Sequence, residues 1–262
     1  MRVYTFHLRK GGDAKTSLTG NVAYGLAKRG LKTVMVDVDG QANLTDWMVG
    51  DGGKYELADI FEEVCNVEEA LVPITDNLYL IGTARENSDL PVWEKVKLND
   101  KIFVFRALIR KLKKLGFDLV FFDLPPTFLT LQSRVYLAVD EVIAATTPTK
   151  FSEDGLMKLA GDIEETNTNF EVGVTCQKLV MSNVNLSKKR HRTRKEALLE
   201  LTNEGYQVFI VPTASAVEAA QESMDYGPGT TVYSQQVTEE SKTKALEAYE
   251  KIVDAIEKEV RE

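Results

Sequence analysis

Seven short apolar runs restrict the folds open to this chain more than any other feature. They are Val3–Leu8, Thr33–Val38, Leu78–Ile81, Leu119–Phe122, Val142–Ala145, Leu179–Met181 and Val208–Val211. None alternates regularly between apolar and polar residues, so each is expected to be a strand that is buried on both faces. Strands of this kind occur in parallel sheets that helices cover on both sides.

Helical patterns separate several of these runs. Thr16–Arg29, Lys101–Leu115 and Thr193–Asn203 have apolar residues at helical spacing, and Gly30 is a typical residue to end the first of them. Alternating strands and helices predict an α/β fold, a doubly wound and mostly parallel sheet with helices on both faces. No linker divides the chain, so we expect residues 1–262 to form one domain. Such sheets bind ligands at the carboxyl ends of their strands.

Composition excludes several classes of protein. The 262 residues include two cysteines, Cys65 and Cys176, and two histidines, His7 and His191. These numbers fit neither a disulfide framework nor a His-rich metal site, and they indicate a cytoplasmic protein. We expect no spanning helix and no secretory signal, because the chain has no long apolar run. The net charge of −8 argues against a uniformly basic nucleic-acid binder but is compatible with a local basic patch.

The segment RKGGDAKTS, residues 9–17, lies between the first predicted strand and the first predicted helix. In phosphate-binding loops of this order, backbone N–H groups and the helix N-terminus hold phosphates. The standard spacing G-x-x-x-x-G-K-[ST] would require glycine where this chain has Arg9 and Ala14. Lys15 can neutralise phosphate charge, and Thr16 can bind Mg²⁺. From these residues alone, an ordinary turn that contains a lysine and two glycines is the alternative.

Four further segments accompany this loop. Acidic residues follow apolar runs in VDVDGQANLT, residues 36–45, and in FDLVFFDLPPT, residues 117–127. The other two are VDEVIAATTPTKFSEDGLMKL, residues 139–159, and FIVPTASAVEAAQESMDYGPGTTVY, residues 209–233. Together with the loop, these segments resemble the deviant Walker-box ATPases of the ParA/MinD family over nearly the whole chain.

The family's loop reads K-G-G-x-G-K-[ST], which accounts for the unusual spacing. Its first lysine matches Lys10, while Ala14 replaces its last glycine and Asp13 brings a carboxylate close to the expected phosphates. The resemblance implies a site for ATP or ADP. The nucleotide-binding residues would be Gly11, Gly12, Asp13, Ala14, Lys15, Thr16, Ser17, Asn183 and Pro212. Asn183 would read the adenine edge, with a simple turn asparagine as the alternative, and Thr213 stands where the family often has arginine.

The resemblance also implies catalytic and metal-binding roles. Lys10 would reach the nucleotide of the partner subunit in an ATP-bound dimer, and Lys15 the nucleotide of its own subunit. Asp39 would position the attacking water. The Mg²⁺ ligands, in part through water, would be Thr16, Asp37 and Asp123. Phosphoryl transfer depends on such positioning and charge neutralisation. For Asp37, a strand-end acid that caps the next turn is the alternative.

Two other branches of the family fit less well. MinD-type proteins end in a basic amphipathic helix that lies on membranes. Here the last helical pattern, Leu246–Val260, has an acidic polar face, so we expect it to pack on the core and expect no membrane partner. The iron-protein branch holds an Fe–S cluster by cysteines. Neither Cys65 nor Cys176 follows a strand end in the expected place.

The ParA branch binds DNA without sequence preference, and this chain has a basic run suited to that role. The DNA-binding residues would be Lys188, Lys189, Arg190, Arg192, Arg194 and Lys195. A second basic set lies on a predicted helix and consists of Arg106, Arg110, Lys111, Lys113 and Lys114. For both sets a solvated helix face is the alternative. No DNA-reading extension precedes the loop, so we do not expect sequence-specific operator binding.

These observations predict a Mg²⁺-dependent, ParA-like enzyme that converts ATP to ADP and phosphate. As an ATP-bound homodimer it would bind nonspecific double-stranded DNA of the nucleoid. It would position a low-copy plasmid, a chromosome region or a protein body such as a carboxysome, and a ParB-like or cargo-adaptor protein would stimulate hydrolysis. One alternative is a nucleotide-gated regulator that binds a protein partner without DNA transport. Another is a small-molecule kinase or ligase, which would not need Lys10.

Overall fold

A computed structural model gives the fold, and it describes residues 1–8, 15–50, 53–83, 90, 101–125, 130–149, 151, 153–213, 229–234 and 239–262. The strands are β1 (Arg2–His7), β2 (Thr33–Asp37), β3 (Val72–Thr75), β4 (Leu78–Ile81), β5 (Leu119–Asp123), β6 (Glu141–Thr146), β7 (Lys178–Val184) and β8 (Gln207–Pro212). They form one sheet in the order β3-β4-β2-β5-β1-β6-β7-β8. All neighbours pair in parallel except β3 and β4, which are antiparallel.

All seven predicted strands are present, and their ends differ from the prediction by at most three residues. Strands β1, β2, β5 and β6 are buried along nearly their whole length, as expected for a sheet covered on both sides. The prediction missed β3, an edge strand whose residues alternate between half-buried and exposed. Its Pro73 is typical of an edge strand, because proline has no N–H to donate to a neighbour.

The described helices are α1 (Lys15–Lys28), α2 (Asn43–Val49), α3 (Leu57–Phe61), α4 (Val67–Ala70), α5 (Val104–Lys114), α6 (Thr130–Tyr136), α7 (Glu153–Phe170), α8 (Lys189–Glu200) and α9 (Glu239–Arg261). A 3₁₀ turn, Leu201–Glu204, follows α8. Helix α8 begins four residues before the predicted start at Thr193. The basic run is therefore helical, which agrees with the good helix propensity of lysine and arginine.

Helices cover both faces of the sheet and create two apolar cores. One core joins α1, α2 and α9 to strand residues such as Phe6, Met35 and Phe121. The other core contains residues of helices α3 through α8 and strand residues of the opposite face, such as Val36 and Phe122. Neighbouring residues of one strand thus enter different cores, and the predicted doubly wound architecture is confirmed.

Helix α9 packs on the sheet and on α1 as expected. Its Tyr249 and Ile252 are buried in the core. From α1 to α9, Arg29 donates hydrogen bonds of 2.6 Å to both Asp254 and Glu257, and it also pairs with Glu250. The acidic polar face of α9 is therefore partly neutralised within the protein. No helix among the described ranges has the length and apolarity that a membrane crossing requires.

A buried ionic cluster connects α9 to residues of β1, β6 and β7. Lys178 of β7 is fully buried, and its Nζ lies 2.6 Å from Glu141 of β6 and 2.5 Å from Glu259 of α9. The hydroxyl of Tyr4, on β1, donates to Glu259 at 2.9 Å. This cluster lies at the end of the sheet opposite to the strand ends that carry the predicted site.

Candidate functional site

Two buried carboxylates face each other where neighbouring strands end. Asp37 is the last residue of β2 and Asp123 the last of β5, and the two pair across the parallel strands. Strand β5 lies between β2 and β1, so the carboxyl end of β1 lies beside that of β5. Asp37, Asp123 and the end of β1 therefore lie at the carboxyl edge of the sheet, where sheets of this kind bind ligands.

Asp37 organises the chain that follows β2. Its Oδ2 accepts hydrogen bonds from the backbone N–H of Thr45 at 2.9 Å and from the Thr45 hydroxyl at 2.7 Å. Its Oδ1 accepts from the N–H of Asp39 at 3.1 Å. Thr83 donates from its hydroxyl to the Asp37 carbonyl at 2.7 Å and from its N–H to the Thr45 hydroxyl at 3.0 Å. Asp37 therefore does cap the turn that follows β2, which was the alternative to a metal-binding role. The same hydrogen bonds hold its carboxylate beside Asp123.

Asp123 contacts the start of helix α1. The hydroxyl of Thr16 donates to its Oδ2 at 2.7 Å. Its Oδ1 is buried and accepts no hydrogen bond from the residues that the structure describes. Lys15, the first residue of α1, is almost fully buried, and its charge acts on the Asp123 carboxylate. A hydroxyl, a carboxylate oxygen without a donor and a lysine therefore lie together at a helix N-terminus.

This arrangement fits Mg²⁺, although no conventional metal cage is present. In the described part of the chain, no group of three or more His, Cys, Asp or Glu side chains could hold a metal ion. Magnesium often takes only one or two carboxylates and completes its coordination with water and phosphate oxygens. Asp123 Oδ1 and the Thr16 hydroxyl supply hard oxygen ligands of the right kind. An ion at this position would also satisfy a buried oxygen that otherwise lacks a donor.

The environment of the two acids opposes their ionisation. Burial raises the pKa of Asp37 to about 7, and the nearby Asp39 carboxylate adds to the rise, whereas the hydrogen bonds from Thr45 and Asp39 act against it. Burial and the charge of Asp37 hold the pKa of Asp123 well above its ordinary range, despite Thr16 and Lys15. Two buried carboxylates side by side favour the binding of a proton or a cation.

Asp39 lies at the start of the turn that joins β2 to α2. Its carboxylate accepts from the N–H of Gln41 at 2.9 Å, and its carbonyl accepts from the N–H of Ala42 at 2.8 Å. Ala42 adopts a left-handed conformation with φ of 53°, which is uncommon for a residue other than glycine. Asp39 is nearly buried and close to Asp37, so its side chain belongs to the same edge of the sheet. Its predicted role with water stays a prediction.

The two residues predicted near the base lie together at the ends of β7 and β8. Val184, which follows Asn183, pairs with Pro212, and the register shifts between Met181 and Val184. Asn183 lies within this irregularity and has a left-handed φ of 58°. Both Asn183 and Pro212 are half-buried. A bulge at a strand end commonly re-aims a side chain, which is compatible with the predicted contact.

Sequence reasoning missed a buried polar network at the end of β1. Gln132 on α6 uses its amide nitrogen to reach His7 Nε2 at 3.0 Å and the Pro125 carbonyl at 2.8 Å. His7 Nδ1 lies 2.5 Å from the Tyr136 hydroxyl. His7 is the last residue of β1, and Pro125 lies two residues after Asp123. The network therefore connects the end of β1 to the chain that follows Asp123.

Part of the predicted site lies outside the described residues. This part consists of Lys10, Gly11, Gly12, Asp13 and Ala14. Ser17 lies in the first turn of α1, where its carbonyl accepts from Asn21 at 2.8 Å. The described residues thus place Lys15, Thr16 and Ser17 at the start of a helix, where N–H groups bind anions well.

The predicted DNA-binding run forms the first two turns of α8. Lys188, Lys189, Arg190 and Arg192 are exposed, and Arg194 and Lys195 are half-buried. The guanidinium of Arg192 donates to the carbonyls of Leu186 at 2.6 Å and Ser187 at 3.1 Å. The first turn contains no acidic residue, and the N-cap Lys188 accepts no side-chain hydrogen bond. Positive charges at the positive end of the helix dipole create a strong anion-attracting surface.

Comparisons with known proteins agree with these features. A family model described as an AAA domain matches residues 1–175. A probable plasmid-partitioning protein ParA from Thermus thermophilus is 31% identical over 167 residues, which are 62% of this chain and 49% of that protein. The match therefore spans about half of that relative.

Solved structures share the fold. An ATP complex of a McdA variant from Cyanothece superposes with a TM-score of 0.78 at 15% identity, over 98% of this chain and 96% of the other. Cobyrinic acid a,c-diamide synthase from Mycobacterium smegmatis with ADP and magnesium gives a TM-score of 0.73 at 21% identity, over 98% and 94%. Since the family model covers more than half of the sequence, the chain belongs to the AAA domain family, and it is a ParA/MinD-type ATPase.

Proposed function

We propose that residues 1–262 act as one ATPase unit that hydrolyses ATP to ADP and phosphate, dimerises around ATP and binds double-stranded DNA without sequence preference. Like ParA proteins, the dimer would position a plasmid, a chromosome region or a protein body on the nucleoid. A ParB-like or cargo-adaptor protein would stimulate hydrolysis. The observation that carries the proposal is the contact of Thr16 with Asp123, whose second buried oxygen has no donor among the residues that the structure describes.

The nucleotide would bind where α1 begins. The N–H groups of the first turn and the charge of Lys15 would hold its phosphates, and Asn183 and Pro212 would contact the base. Thr16 and Asp123 would hold Mg²⁺, and Asp37 would assist from the neighbouring strand. Mg²⁺ would neutralise charge on the phosphates. The complexes of the two structural relatives with ATP and with ADP and magnesium support this assignment.

Hydrolysis would depend on Asp39 and on Lys10. Asp39 follows the strand that carries Asp37 and would orient the attacking water toward the terminal phosphate. Lys10 would add positive charge from the partner subunit. Lys10→Ala should retain nucleotide binding but lose turnover, and Asp39→Ala should accumulate an ATP-bound dimer. Phosphate release together with sedimentation in ATP and Mg²⁺ tests both expectations. Full turnover of Lys10→Ala, or a monomeric Asp39→Ala in ATP, would contradict the model.

DNA would bind at the basic first turns of α8. Phosphate contacts of this kind release counterions, so affinity should fall steeply as salt increases. The test measures binding of random-sequence duplex DNA without nucleotide, with ADP, and with ATP plus Mg²⁺. The combined change Arg192→Ala with Arg194→Ala should weaken binding for every sequence and leave ATP affinity unchanged. A matched control, Lys113→Ala with Lys114→Ala, removes the same charge from α5.

The outcome of this titration distinguishes the proposal from its alternatives. Binding that appears only with ATP and decreases with salt supports a DNA-bound switch. If ATP binds but DNA does not, the nucleotide-gated regulator becomes the better description, and its partners should be sought among proteins. A ligase or kinase, as the likeness to the diamide synthase fold would allow, should retain its turnover after Lys10→Ala.

A further inference from the structure

Helix α5 exposes a dense positive surface that the proposed function does not use. Its 11 residues contain five cations and no acid. Phe105, Leu108 and Leu112 point into the core, and the cations lie on the opposite side. We call this the α5 surface, which consists of Phe103, Arg106, Arg110, Lys111, Lys113 and Lys114, all of them exposed. In a protein with a net charge of −8, such a concentration of positive charge attracts acidic groups.

An aromatic pair lies at one end of this surface. Phe103 is 47% exposed and Phe170, at the end of α7, is 37% exposed. Their rings meet edge to face with centroids 6.5 Å apart. The guanidinium of Arg106 lies 5.4 Å from the Phe103 ring, and its Nε donates to the Leu137 carbonyl at 2.5 Å. Arg106 is therefore already ordered, so a ligand that binds it causes a smaller loss of side-chain entropy.

Grooves with apolar walls and charged rims flank the helix on both sides. One groove, of about 480 Å³, is lined by apolar residues such as Phe61 and Ile102, by two cations, Lys101 and Lys111, and by one acid, Glu63. The other, of about 460 Å³, is lined by Phe103, Arg106, Ile109, Arg110 and Ala138. Either groove has room for an apolar side chain of a partner. Positive charges beside an apolar groove match a segment that carries both acidic and apolar groups.

The apolar part favours a protein over DNA as the ligand. Duplex DNA presents phosphates to a basic surface and gains little from exposed phenylalanine rings or apolar grooves. The basic run on α8 has no such rings and suits DNA better. The two surfaces are also separate, because α5 packs on α6 and α6 on α7, whereas α8 packs on β7 and β8.

We propose that the α5 surface binds an acidic segment of a partner protein that inserts an aromatic or aliphatic side chain beside Phe103. The cations attract and orient the segment, and the apolar anchor supplies specificity. This interaction is additional to the proposed DNA contact, and it does not require that the chain hydrolyse ATP.

A designed probe tests the proposal in the full-length protein. The probe is a fluorescent amphipathic peptide of glutamate and leucine with one phenylalanine. Its controls carry serine for the phenylalanine or lysine for the glutamates. Fluorescence anisotropy measures the binding of each peptide, and the same samples in ATP and Mg²⁺ are titrated with duplex DNA. The variant Arg110→Glu with Lys114→Glu reverses charge on α5, and Lys189→Glu with Arg190→Glu is the matched variant on α8. All four side chains are exposed, and unfolding temperatures confirm that the variants fold.

The two variants should have opposite effects on peptide binding and DNA binding. The α5 variant should bind the acidic peptide at least roughly tenfold more weakly and bind DNA normally, and the α8 variant should do the reverse. Phe103→Ser and the serine peptide should each weaken binding by roughly threefold or more.

Three results would overturn the proposal. The first is unchanged peptide binding by the α5 variant. The second is peptide binding that neither Phe103→Ser nor the serine peptide weakens. The third is loss of DNA binding by the α5 variant, which would make α5 a DNA-binding surface. Failure of the wild-type protein to bind DNA would contradict the proposed function alone, since the peptide assay is independent of it.

Discussion

Replacing Asp37 by asparagine tests whether the buried acids of the site are costly to ionise. Burial raises the pKa of Asp37 from 3.8 to about 7. Below pH 3.8 the carboxyl is protonated in both the folded and the unfolded protein and makes no difference. Between the two values the folded protein holds a proton that the unfolded chain has lost, so the free energy of unfolding decreases as pH rises.

The size of the effect follows from the shift. Each pH unit between the two pKa values costs about 1.4 kcal/mol, so the stability lost by pH 7 is on the order of 4 kcal/mol. Other groups titrate over the same range, so the useful quantity is the difference between the wild-type protein and Asp37→Asn. Removing the Asp37 charge also lowers the pKa of Asp123, which changes this difference in the same direction. Hydrogen bonds lost in the variant add a constant to this difference but do not change its slope.

Urea unfolding followed by circular dichroism, from pH 4 to pH 8 without Mg²⁺ or nucleotide, measures this difference. The stability of the wild-type protein relative to Asp37→Asn should fall by about 4 kcal/mol across that range. Asp76→Asn is the matched control, because it makes the same replacement at an exposed position in a turn. A flat or rising difference for Asp37→Asn would refute the reasoning. If Mg²⁺ and ADP bind as proposed, adding them should reduce the slope, since a nearby cation favours the carboxylate.

Two further predictions concern buried polar groups away from these acids. Lys178→Met should destabilise the protein by about 3–5 kcal/mol, because Glu141 keeps a buried charge without its partner. Adding Glu141→Gln should recover much of that loss in urea unfolding, and no recovery would contradict the account. Gln132→Leu removes the donor shared by His7 and the Pro125 carbonyl. If the network positions Asp123, the proposed Mg²⁺ ligand, ATP turnover should fall by roughly tenfold while ADP affinity stays within about twofold. Equal losses in both would instead indicate a structural role, and Gln132→Asn serves as the polar control.

The sequence predicts the strands of this fold well because burial on both faces produces a strong local signal. Val120 and Phe121 are adjacent in sequence and enter different cores, so both must be apolar. The edge strand β3 lacks this signal, since one face of Val72–Thr75 is exposed and the strand is short. The start of α8 was predicted too late because the basic run has few apolar residues to reveal a helical period.

Site residues that directly follow a predicted strand could be predicted from the sequence. Contacts between residues that are far apart in the sequence could not. Asp37 and Asp123 each end an apolar run, and the pairing of their strands follows from the fold class. Gln132 and His7 are 125 residues apart, and nothing near either residue in the sequence indicates their contact. Thr83 likewise reaches the Asp37 carbonyl across 46 positions. Such contacts depend on the tertiary arrangement of strands rather than on local pattern.

The bond between Tyr4 and Glu259 has a consequence for how the protein is made. The two residues are 255 positions apart, and one apolar face of β1 is covered in part by the same helix that carries Glu259. At a synthesis rate of roughly 5–20 residues per second, about 13–50 s pass between the appearance of the central strand and that of its last cover. During that interval a nascent chain exposes part of its core. We therefore expect ribosome-associated chaperones to bind the exposed face of β1 until α9 has emerged.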